Sequence, residues 1–322
     1  MPFLVALTSL LFVTLLGDGL LRTSWASRFP QLPLAVLVAP LISLGFSLWL
    51  LLAFGRHVCW LGAPPVDALL DLVLPLAMVL VTSGALVLAL VRLCLVWRLT
   101  ARRSLPISSS LQTSLVGMAR RFGIAAPTLL LTPSSQPQAL VCGWPGGRPR
   151  LLLSTWMSAR LDAREMEGVL AHELAHIARR DHLVAWLALL LRDAFCYLPS
   201  SWAAFRKLQH QHELTCDDLA VGVTGRPLAL ASALAKVWHS TLGPPPAAVA
   251  GVGLAGARAD IEGRIRRLME ETRQPIGSPS LQQRPLVRAG GTAAAVLGLQ
   301  GMNLALLFVP MGCGSLLHIL GW

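Results

Sequence analysis

The sequence lacks several patterns that would place it in a familiar class. Its six cysteines show no metal-ligand spacing, so a cysteine-based zinc module is not indicated. No internal repeat is present, which excludes a repeat architecture. The apolar N-terminal stretch lacks a basic n-region and an A-x-A cleavage site, and we therefore predict a retained anchor rather than a signal peptide. Charged residues are also scarce, at 13%.

Apolar residues are abundant instead. Hydrophobic residues make up 54% of the chain and the mean hydropathy is +0.62, above the roughly 45–50% apolar content of an average soluble protein. Four apolar stretches are long enough to cross a hydrocarbon core of about 30 Å. They are Phe3–Leu21, Gln31–Phe54, Leu72–Trp97 and Gly290–Pro310. The composition therefore predicts a membrane protein with about four transmembrane helices.

The basic residues predict how these stretches are oriented. Arg22 and Arg28 lie in the first connection, and Arg98, Arg102 and Arg103 follow the third stretch. The positive-inside rule then places both termini outside and the long segment after the third stretch in the cytoplasm. We interpret the net charge of +11 as arising from basic residues that set the membrane topology and attract anionic lipid. We do not expect direct nucleic-acid binding, because no nucleic-acid motif accompanies the charge.

A metal-binding pattern occurs in the polar part of the chain, where His172-Glu173-Leu174-Ala175-His176 forms an HExxH sequence. Histidines at i and i+4 project from one face of a helix, so both imidazoles can reach one Zn²⁺. The intervening Glu173 can then take a proton from the water that the metal activates. The alternative, two satisfied core histidines, would leave Glu173 buried without a reason.

The surrounding residues predict the helix that carries this motif. Asp162 and Glu165 have capping-box spacing, and we expect the helix to run from about Asp162 to Arg180. Apolar residues follow at helical spacing and predict its core face: Met166, Val169, Leu170, Leu174 and Ile177.

A third ligand is expected downstream, because a catalytic zinc usually takes three protein ligands. Glu213 and Asp217 are again at i and i+4, so one carboxylate can bind metal while the other accepts a hydrogen bond from a ligand histidine. The alternative is a solvated acidic face of a helix. Cys216 could be a soft ligand, but it points to a different face from Glu213, and we interpret it as a packing residue.

Taken together, four sequence motifs resemble those of a known family. The HExxH sequence is followed by Arg179-Arg180-Asp181-His182, then by Glu213-x-x-Cys216-Asp217, and then by Arg264-Ile-Arg-Arg-Leu268. Over residues 110–270 this combination resembles the BlaR/MecR-type membrane zinc metallopeptidases, and more distantly the HtpX and CAAX-prenyl-protease type. The antibiotic sensors of this family carry a C-terminal penicillin-binding domain, whereas this sequence stops at Trp322, so we do not expect direct β-lactam sensing.

The resemblance implies a mainly α membrane protein with an α+β gluzincin-type peptidase domain in the loop between the third and fourth membrane helices. The expected boundaries are a membrane domain over 1–103, a cytoplasmic peptidase domain over 104–288, and the last helix with an outer tail over 289–322. One Zn²⁺ per chain would be bound by His172, His176 and Glu213. Glu173 would act as base and acid, and Asp217 would hydrogen-bond a ligand histidine.

The function implied is that of a membrane-bound zinc endopeptidase in a bacterial-type inner membrane. It would cleave a cytoplasmic or juxtamembrane protein in signal transduction, such as a transcriptional repressor or its own chain, with membrane lipids and a separate sensor protein as further partners. The alternatives are a quality-control protease for membrane proteins and a non-catalytic, zinc-stabilised scaffold. A second oxyanion donor is expected, and four residues are candidates for it: His182, His210, His212 and Tyr197.

The remaining segments predict secondary structure around the motif. Leu111–Phe122 and Arg258–Arg273 are expected to be helices, and Pro127–Leu131 and Arg150–Ser154 short strands. The second strand is either the sheet edge that binds the substrate backbone or an ordinary core strand. Residues 183–199 form an apolar run too short to span a membrane, which leaves an interfacial helix, a re-entrant segment and a buried helix as alternatives.

Overall fold

The computed structural model describes residues 2–23, 29–54, 76–77, 79–91, 94–95, 109–142, 149–241 and 252–270. The described chain is mainly helical with one small sheet, as predicted. Its helices are α1 (Pro2–Arg22), α2 (Leu32–Phe54), α3 (Ser109–Arg121), α4 (Thr155–Arg160), α5 (Ala163–Arg179), α6 (Asp181–Ala194), α7 (Pro199–Thr224), α8 (Pro227–Thr241) and α9 (Val252–Met269). The strands are β1 (Thr128–Thr132), β2 (Ala139–Cys142) and β3 (Arg150–Ser154).

The chain divides into two compact units. The first comprises the described residues of Met1–Arg92 together with Leu187–Leu208, and the second those of Leu93–Trp186 and Gln209–Gln282. In the first unit α1 packs against α2. A Cβ atom on Gly17 would lie 2.8 Å from Val36 Cγ1, so glycine allows the two helices to approach closely.

The predicted membrane spans are only partly within the described residues. Gly290–Pro310 lies outside them, and Leu72–Trp97 is described in part, with helical residues at 76–77, 79–91 and 94–95. Over the residues that are described, no helix is both long enough and apolar enough to cross a membrane. The four spans and the domain boundaries remain predictions.

A three-stranded sheet with the order β1-β3-β2 lies in the second unit. The central strand β3 pairs in parallel with β1 and antiparallel with β2. The interpretation of Arg150–Ser154 as a sheet edge is therefore wrong, and the alternative of a core strand holds. Leu151 and Leu153 on one face and Leu152 on the other are all buried, which is why this strand reads as a run of leucines rather than as an alternating pattern.

The helix that carries the HExxH sequence begins and ends almost where its sequence predicts. Asp162 is the N-cap of α5, and the reciprocal hydrogen bonds between Asp162 and Glu165 form a capping box. The five apolar residues predicted for the core face are all buried. The helix ends at Arg180, whose φ of 58° lies in the left-handed region. These expectations are confirmed.

The other predicted elements agree with the structure to within a few residues. α3 covers most of Leu111–Phe122, and β1 lies one residue later than predicted. α9 begins six residues before the predicted Arg258 and ends at Met269. Residues 183–194 of the ambiguous apolar run continue α6, and within this run Leu187 and the residues after it belong to the first unit. β2 was not predicted.

Candidate metal centre

α5 and α7 bring the three predicted ligands together in the second unit. His172 Nε2 lies 3.2 Å from His176 Nε2 and 3.3 Å from Glu213 Oε2. His176 Nε2 lies 3.7 Å from Glu213 Oε1. The two histidines lie one helical turn apart on α5, as their i and i+4 spacing requires. The three side chains therefore form one group of potential metal-ligand atoms.

These distances can be compared with what zinc requires. Tetrahedral zinc has nitrogen and oxygen ligands at about 2.0–2.1 Å, so its ligand atoms lie about 3.3–3.4 Å from one another. Two of the three observed separations agree with this value and the third is slightly longer. Two imidazoles and one carboxylate are also a ligand set that zinc accepts in catalytic sites. The residues present therefore fit a single zinc ion.

Asp217 lies next to His172, on the side of the ring that carries Nδ1. Its Oδ1 is 2.9 Å from His172 Nδ1, although the alignment of the two groups falls short of a hydrogen bond. Burial lowers the pKa of His172, but the carboxylates of Asp217 and Glu213 outweigh this effect and raise the pKa to about 10. An acidic partner at Nδ1 orients the ring and leaves Nε2 directed at the group of ligand atoms.

Arg264 of α9 connects the two carboxylates. Its Nε and Nη2 donate to Asp217 Oδ2 and Oδ1, each at 2.8 Å, and its Nη1 lies 2.6 Å from Glu213 Oε2. Burial would raise the pKa of Glu213, but His172 and Arg264 hold it well below its usual value. Burial would also raise the pKa of Asp217, but His172 and Arg264 lower it. Both carboxylates are therefore kept ionised, which is the form in which Glu213 could bind a metal.

The second histidine has a different acidic partner, Asp181 at the start of α6. Asp181 Oδ2 lies 3.2 Å from His176 Nδ1 and accepts a hydrogen bond of 2.8 Å from Arg179 Nε. Burial would raise the pKa of Asp181, but His176, His212 and Arg179 together hold it well below its usual value. Each of the two histidines thus has a carboxylate at Nδ1 and the ligand group at Nε2.

Cys216 lies beside this second pair. The buried thiol Sγ is 3.3 Å from His176 Nδ1 and 3.3 Å from Asp181 Oδ2, which gives a second group of potential metal ligands on the far side of the His176 ring. Burial raises the pKa of Cys216 well above its usual value, and the neighbouring carboxylate adds to this. A thiol that stays protonated is a poor ligand, which agrees with the interpretation of Cys216 as a packing residue.

Glu173 is half-buried on α5 between the two histidines. Among the described residues, no hydrogen bond or ion pair engages its carboxylate. By contrast, His172 and His176 at the two ends of the motif each have a carboxylate oxygen close to Nδ1. The carboxylate of Glu173 is therefore not committed to another side chain of the described residues.

The four candidates for an oxyanion donor have different surroundings. His210 forms an ion pair with Asp260, and His212 Nδ1 lies 3.8 Å from Asp181 Oδ1. His182 Nδ1 is buried without a hydrogen-bond partner among the described residues, and burial lowers the pKa of His182. Tyr197 belongs to the first unit, where its hydroxyl lies 3.3 Å from Thr82 Oγ1. The oxyanion role of each remains a prediction.

Two residues of the centre were not given a role from sequence. Asp181 and Arg264 lie within motifs that were recognised, but nothing in their spacing indicates which side chain each contacts. For Asp181 the available signal was its position two residues beyond Arg179, the last residue of α5, where the chain turns back towards His176. For Arg264 the only signal was the motif itself, 47 residues beyond Asp217.

Comparison with known proteins yields a family match and a set of relatives. A family model described as BlaR1 peptidase M56 matches residues 64–268. Among curated proteins, a protease HtpX homolog of Aquifex aeolicus is 39% identical over 90 residues, which are 27% of this chain and 30% of that protein. One from Pelotomaculum thermopropionicum is 35% identical over 109 residues, 32% of this chain and 39% of that protein. One from Acaryochloris marina is 29% identical over 153 residues, 37% of this chain and 52% of that protein. The chain thus spans about a third to a half of the length of these relatives.

Proposed function

The chain belongs to the BlaR1 peptidase M56 family, and from this premise we propose that it is a membrane-bound, zinc-dependent endopeptidase. The proposed substrate is a cytoplasmic or juxtamembrane protein, in particular a regulator such as a transcriptional repressor, or the chain itself. The resemblance to BlaR/MecR-type and HtpX-type peptidases is confirmed by the family match and the relatives. The zinc, the residue roles and the substrate are the proposed part.

One observation carries this proposal. His172, His176 and Glu213 converge at distances that suit one zinc ion, and Glu173 lies between the two histidines without a protein partner among the described residues. A structural zinc site needs no free carboxylate, whereas hydrolysis of a peptide bond needs a base next to the metal. The arrangement therefore favours an enzyme over a metal-stabilised scaffold.

The chain's own residues would divide the chemistry as follows. His172, His176 and Glu213 would hold the zinc, and Asp217 and Asp181 would fix the orientation of the two imidazoles. A bound zinc ion supplies Lewis-acid activation of water and of the scissile carbonyl. Glu173 would take the proton that the attacking water loses and deliver it to the leaving amine.

An additional donor would stabilise the oxyanion that develops on the carbonyl oxygen. His182, His210, His212 and Tyr197 are the four candidates for this role. A neutral imidazole N–H or a phenol O–H can donate the hydrogen bond that this role requires.

The sheet offers a place for the substrate backbone. Since β3 is central, the strand edge nearest to the metal-binding helix belongs to β2, which contacts α5. An extended peptide could add to β2 by main-chain hydrogen bonds, and the side chain of Leu140 on this strand is 45% exposed. This assigns to β2 the role that the sequence suggested for Arg150–Ser154.

The proposed setting is a bacterial-type inner membrane, with the peptidase domain in the cytoplasm and both termini outside. The four apolar stretches and the arginines that flank them support this topology. One zinc ion per chain, membrane lipids and a separate sensor protein are the proposed cofactor and partners. The alternative enzymatic function is quality control of membrane proteins. The similarity to curated relatives named protease HtpX homolog is the reason for testing it.

The test compares zinc content and fragment formation in the wild type, Glu173→Gln and the control Glu167→Gln. Glu167 lies on the same helix but pairs at the surface with Arg226. We expect about one zinc per chain in all three proteins, measured by elemental analysis. Cleavage of the chain itself or of a co-expressed repressor, followed by mass spectrometry, should fall about 10²–10⁴-fold in Glu173→Gln alone.

Two outcomes would overturn the proposal. If the purified wild type contains no zinc, the proposed metal centre is wrong. If the wild type and Glu173→Gln are fragmented equally, the non-catalytic scaffold is the better explanation. Cleavage of misfolded membrane proteins with no cleavage of a repressor would select the quality-control alternative.

A further inference from the structure

α9 reaches the metal centre through one side chain. The guanidinium of Arg264 is buried and contacts Glu213 and Asp217 with three of its nitrogen atoms. Glu213 is one of the proposed metal ligands, and Asp217 lies next to a second, His172. All three nitrogens of one planar group are thus committed to the carboxylates around the centre.

A second arginine on the same helix provides a natural comparison. Arg267 lies less than one turn beyond Arg264 and donates two hydrogen bonds, of 2.9 and 2.8 Å, to Asp218. Asp218 is the neighbour of Asp217 on α7, so both arginines connect the same two helices with the same paired geometry. Among the contacts between described residues, Arg264 also touches a proposed metal ligand, Glu213, whereas the two hydrogen bonds of Arg267 are to Asp218.

We propose that Arg264 is a positioning residue for the metal centre, which holds Glu213 and Asp217 in the arrangement that zinc requires. This inference rests on the proposed zinc site. It makes α9 part of the centre, although α9 contributes none of the proposed metal ligands and Arg264 lies 51 residues beyond Glu213 in the sequence. Arg267, by contrast, connects α9 to α7 without acting on the metal.

The geometry of the guanidinium explains why arginine suits this position. Two neighbouring carboxylates repel each other, and each can rotate about its terminal bond. A planar group with donors in a fixed fork binds both oxygens of Asp217 and one of Glu213 at once, which fixes both rotations. A lysine carries the same charge on one nitrogen and cannot reproduce three directed contacts.

Charge and orientation have opposite effects on zinc binding, and this allows them to be separated. A cation beside the site repels Zn²⁺, so a purely electrostatic role would weaken metal binding. A positioning role would strengthen it, because a ligand held in place loses less freedom when the metal binds. Arg264→Lys keeps the charge and removes only the fork, and so reports on orientation alone.

The experiment measures zinc affinity by competition with a chelating dye in the full-length wild type, Arg264→Lys and the matched control Arg267→Lys. We expect the dissociation constant for zinc to rise about 10–100-fold in Arg264→Lys, the range typical of lost partners of metal ligands. In Arg267→Lys it should stay within about twofold of the wild type. The visible absorption of the cobalt-substituted protein should change only in Arg264→Lys, because it reports ligand geometry.

Equal zinc affinities and cobalt spectra in the two lysine variants would overturn the inference, even if both lose thermal stability, because that is the result of a role in helix docking alone. Should Arg264→Lys fail to fold, Arg264→Gln serves as the second variant and is expected to bind zinc more weakly. Tighter binding by Arg264→Gln would contradict the inference, since charge would then outweigh orientation.

The two proposals fail in distinguishable ways. If the wild type binds no zinc, both fall together. If it binds zinc and cleaves through Glu173, while Arg264→Lys binds zinc as tightly as the wild type, only the role of Arg264 falls.

Discussion

Two carboxylates around α5 have contrasting surroundings. At the N-terminal end, Glu165 accepts hydrogen bonds from the backbone N–H of Asp162, the ammonium of Lys236 and the hydroxyl of Ser232, at 2.6–2.9 Å. Beside the histidines of α5, Glu213 of α7 has Arg264 as its one strong donor among the described residues. It lies close to two imidazoles and keeps 31% of its side chain exposed.

The difference separates a network that is closed from one that is open. Protein donors surround the carboxylate of Glu165, and its two oxygens connect the start of α5 to α8. The carboxylate oxygens of Glu213 lie 3.3 Å from His172 Nε2 and 3.7 Å from His176 Nε2. These ring nitrogens must be unprotonated when a metal cation binds between them and the carboxylate. The first network is complete with protein donors alone, whereas the second has the arrangement of the proposed metal site.

The strongest test of this comparison replaces the glutamate of each network, Glu213 or Glu165, with glutamine. Glu213→Gln should weaken zinc binding by more than about 100-fold, because a neutral amide is a poor replacement for a carboxylate ligand. Glu165→Gln should leave zinc binding unchanged. Chelator competition measures both, and equal losses in the two variants would show that zinc affinity follows the stability of the fold rather than the ligand set.

A smaller effect is expected from the acidic partner of His176. Asp181→Asn should raise the dissociation constant for zinc about 10–100-fold, because the imidazole loses its charged acceptor at Nδ1. Asp193→Asn near the other end of α6 is the control, since Asp193 pairs with Arg192. The prediction is wrong if both variants titrate zinc like the wild type.

For the closed network around Glu165, the predicted change is in the free energy of unfolding. Glu165→Gln should lower the free energy of unfolding by about 1.5–3 kcal/mol at neutral pH, because hydrogen bonds to a charged group are lost from a buried site. The exposed pair of Glu167 with Arg226 provides the control, and Glu167→Gln should cost less than about 1 kcal/mol. Urea denaturation measures both, and equal costs would contradict the distinction.

The smallest effect should appear as a dependence on pH. Burial raises the pKa of Glu165, but Lys236 and Ser232 outweigh it and hold the pKa below its usual value of 4.5. A group whose pKa is lowered by folding contributes stability above its unfolded pKa, and this contribution is lost as the pH falls. The difference in unfolding free energy between the wild type and Glu165→Gln should therefore be constant at neutral pH and shrink below about 4.5. A difference that stays the same down to the acid transition would rule out this assignment.

Most of α5 could be predicted because the determinants are local. The capping box joins residues three apart, the core face follows the helical period, and His172 and His176 are one turn apart. The pairing of Glu213 with Asp217 was readable for the same reason. Such patterns depend on the helix that carries them and not on the rest of the fold.

The partners of these residues could not be predicted because they come from elsewhere in the chain. Asp181 reaches His176 only through the turn at Arg180, and Arg264 reaches Glu213 only once α9 lies beside α7. The position of β3 within the sheet has the same character. Whether a strand is central depends on its neighbours, and β2, the neighbour that made β3 central, is four residues long and carries no alternating pattern.

The turn at Arg180 has a consequence for how this protein can vary. A single residue with positive φ separates the last residue of α5 from Asp181, the first residue of α6. Each residue added to a helix rotates everything after it by about 100°. An insertion of one residue at this junction would therefore swing the carboxylate of Asp181 away from His176, whereas substitution of Arg180 by glycine would preserve the path of the chain. We thus expect the length of this connection to be far less tolerant of change than its composition.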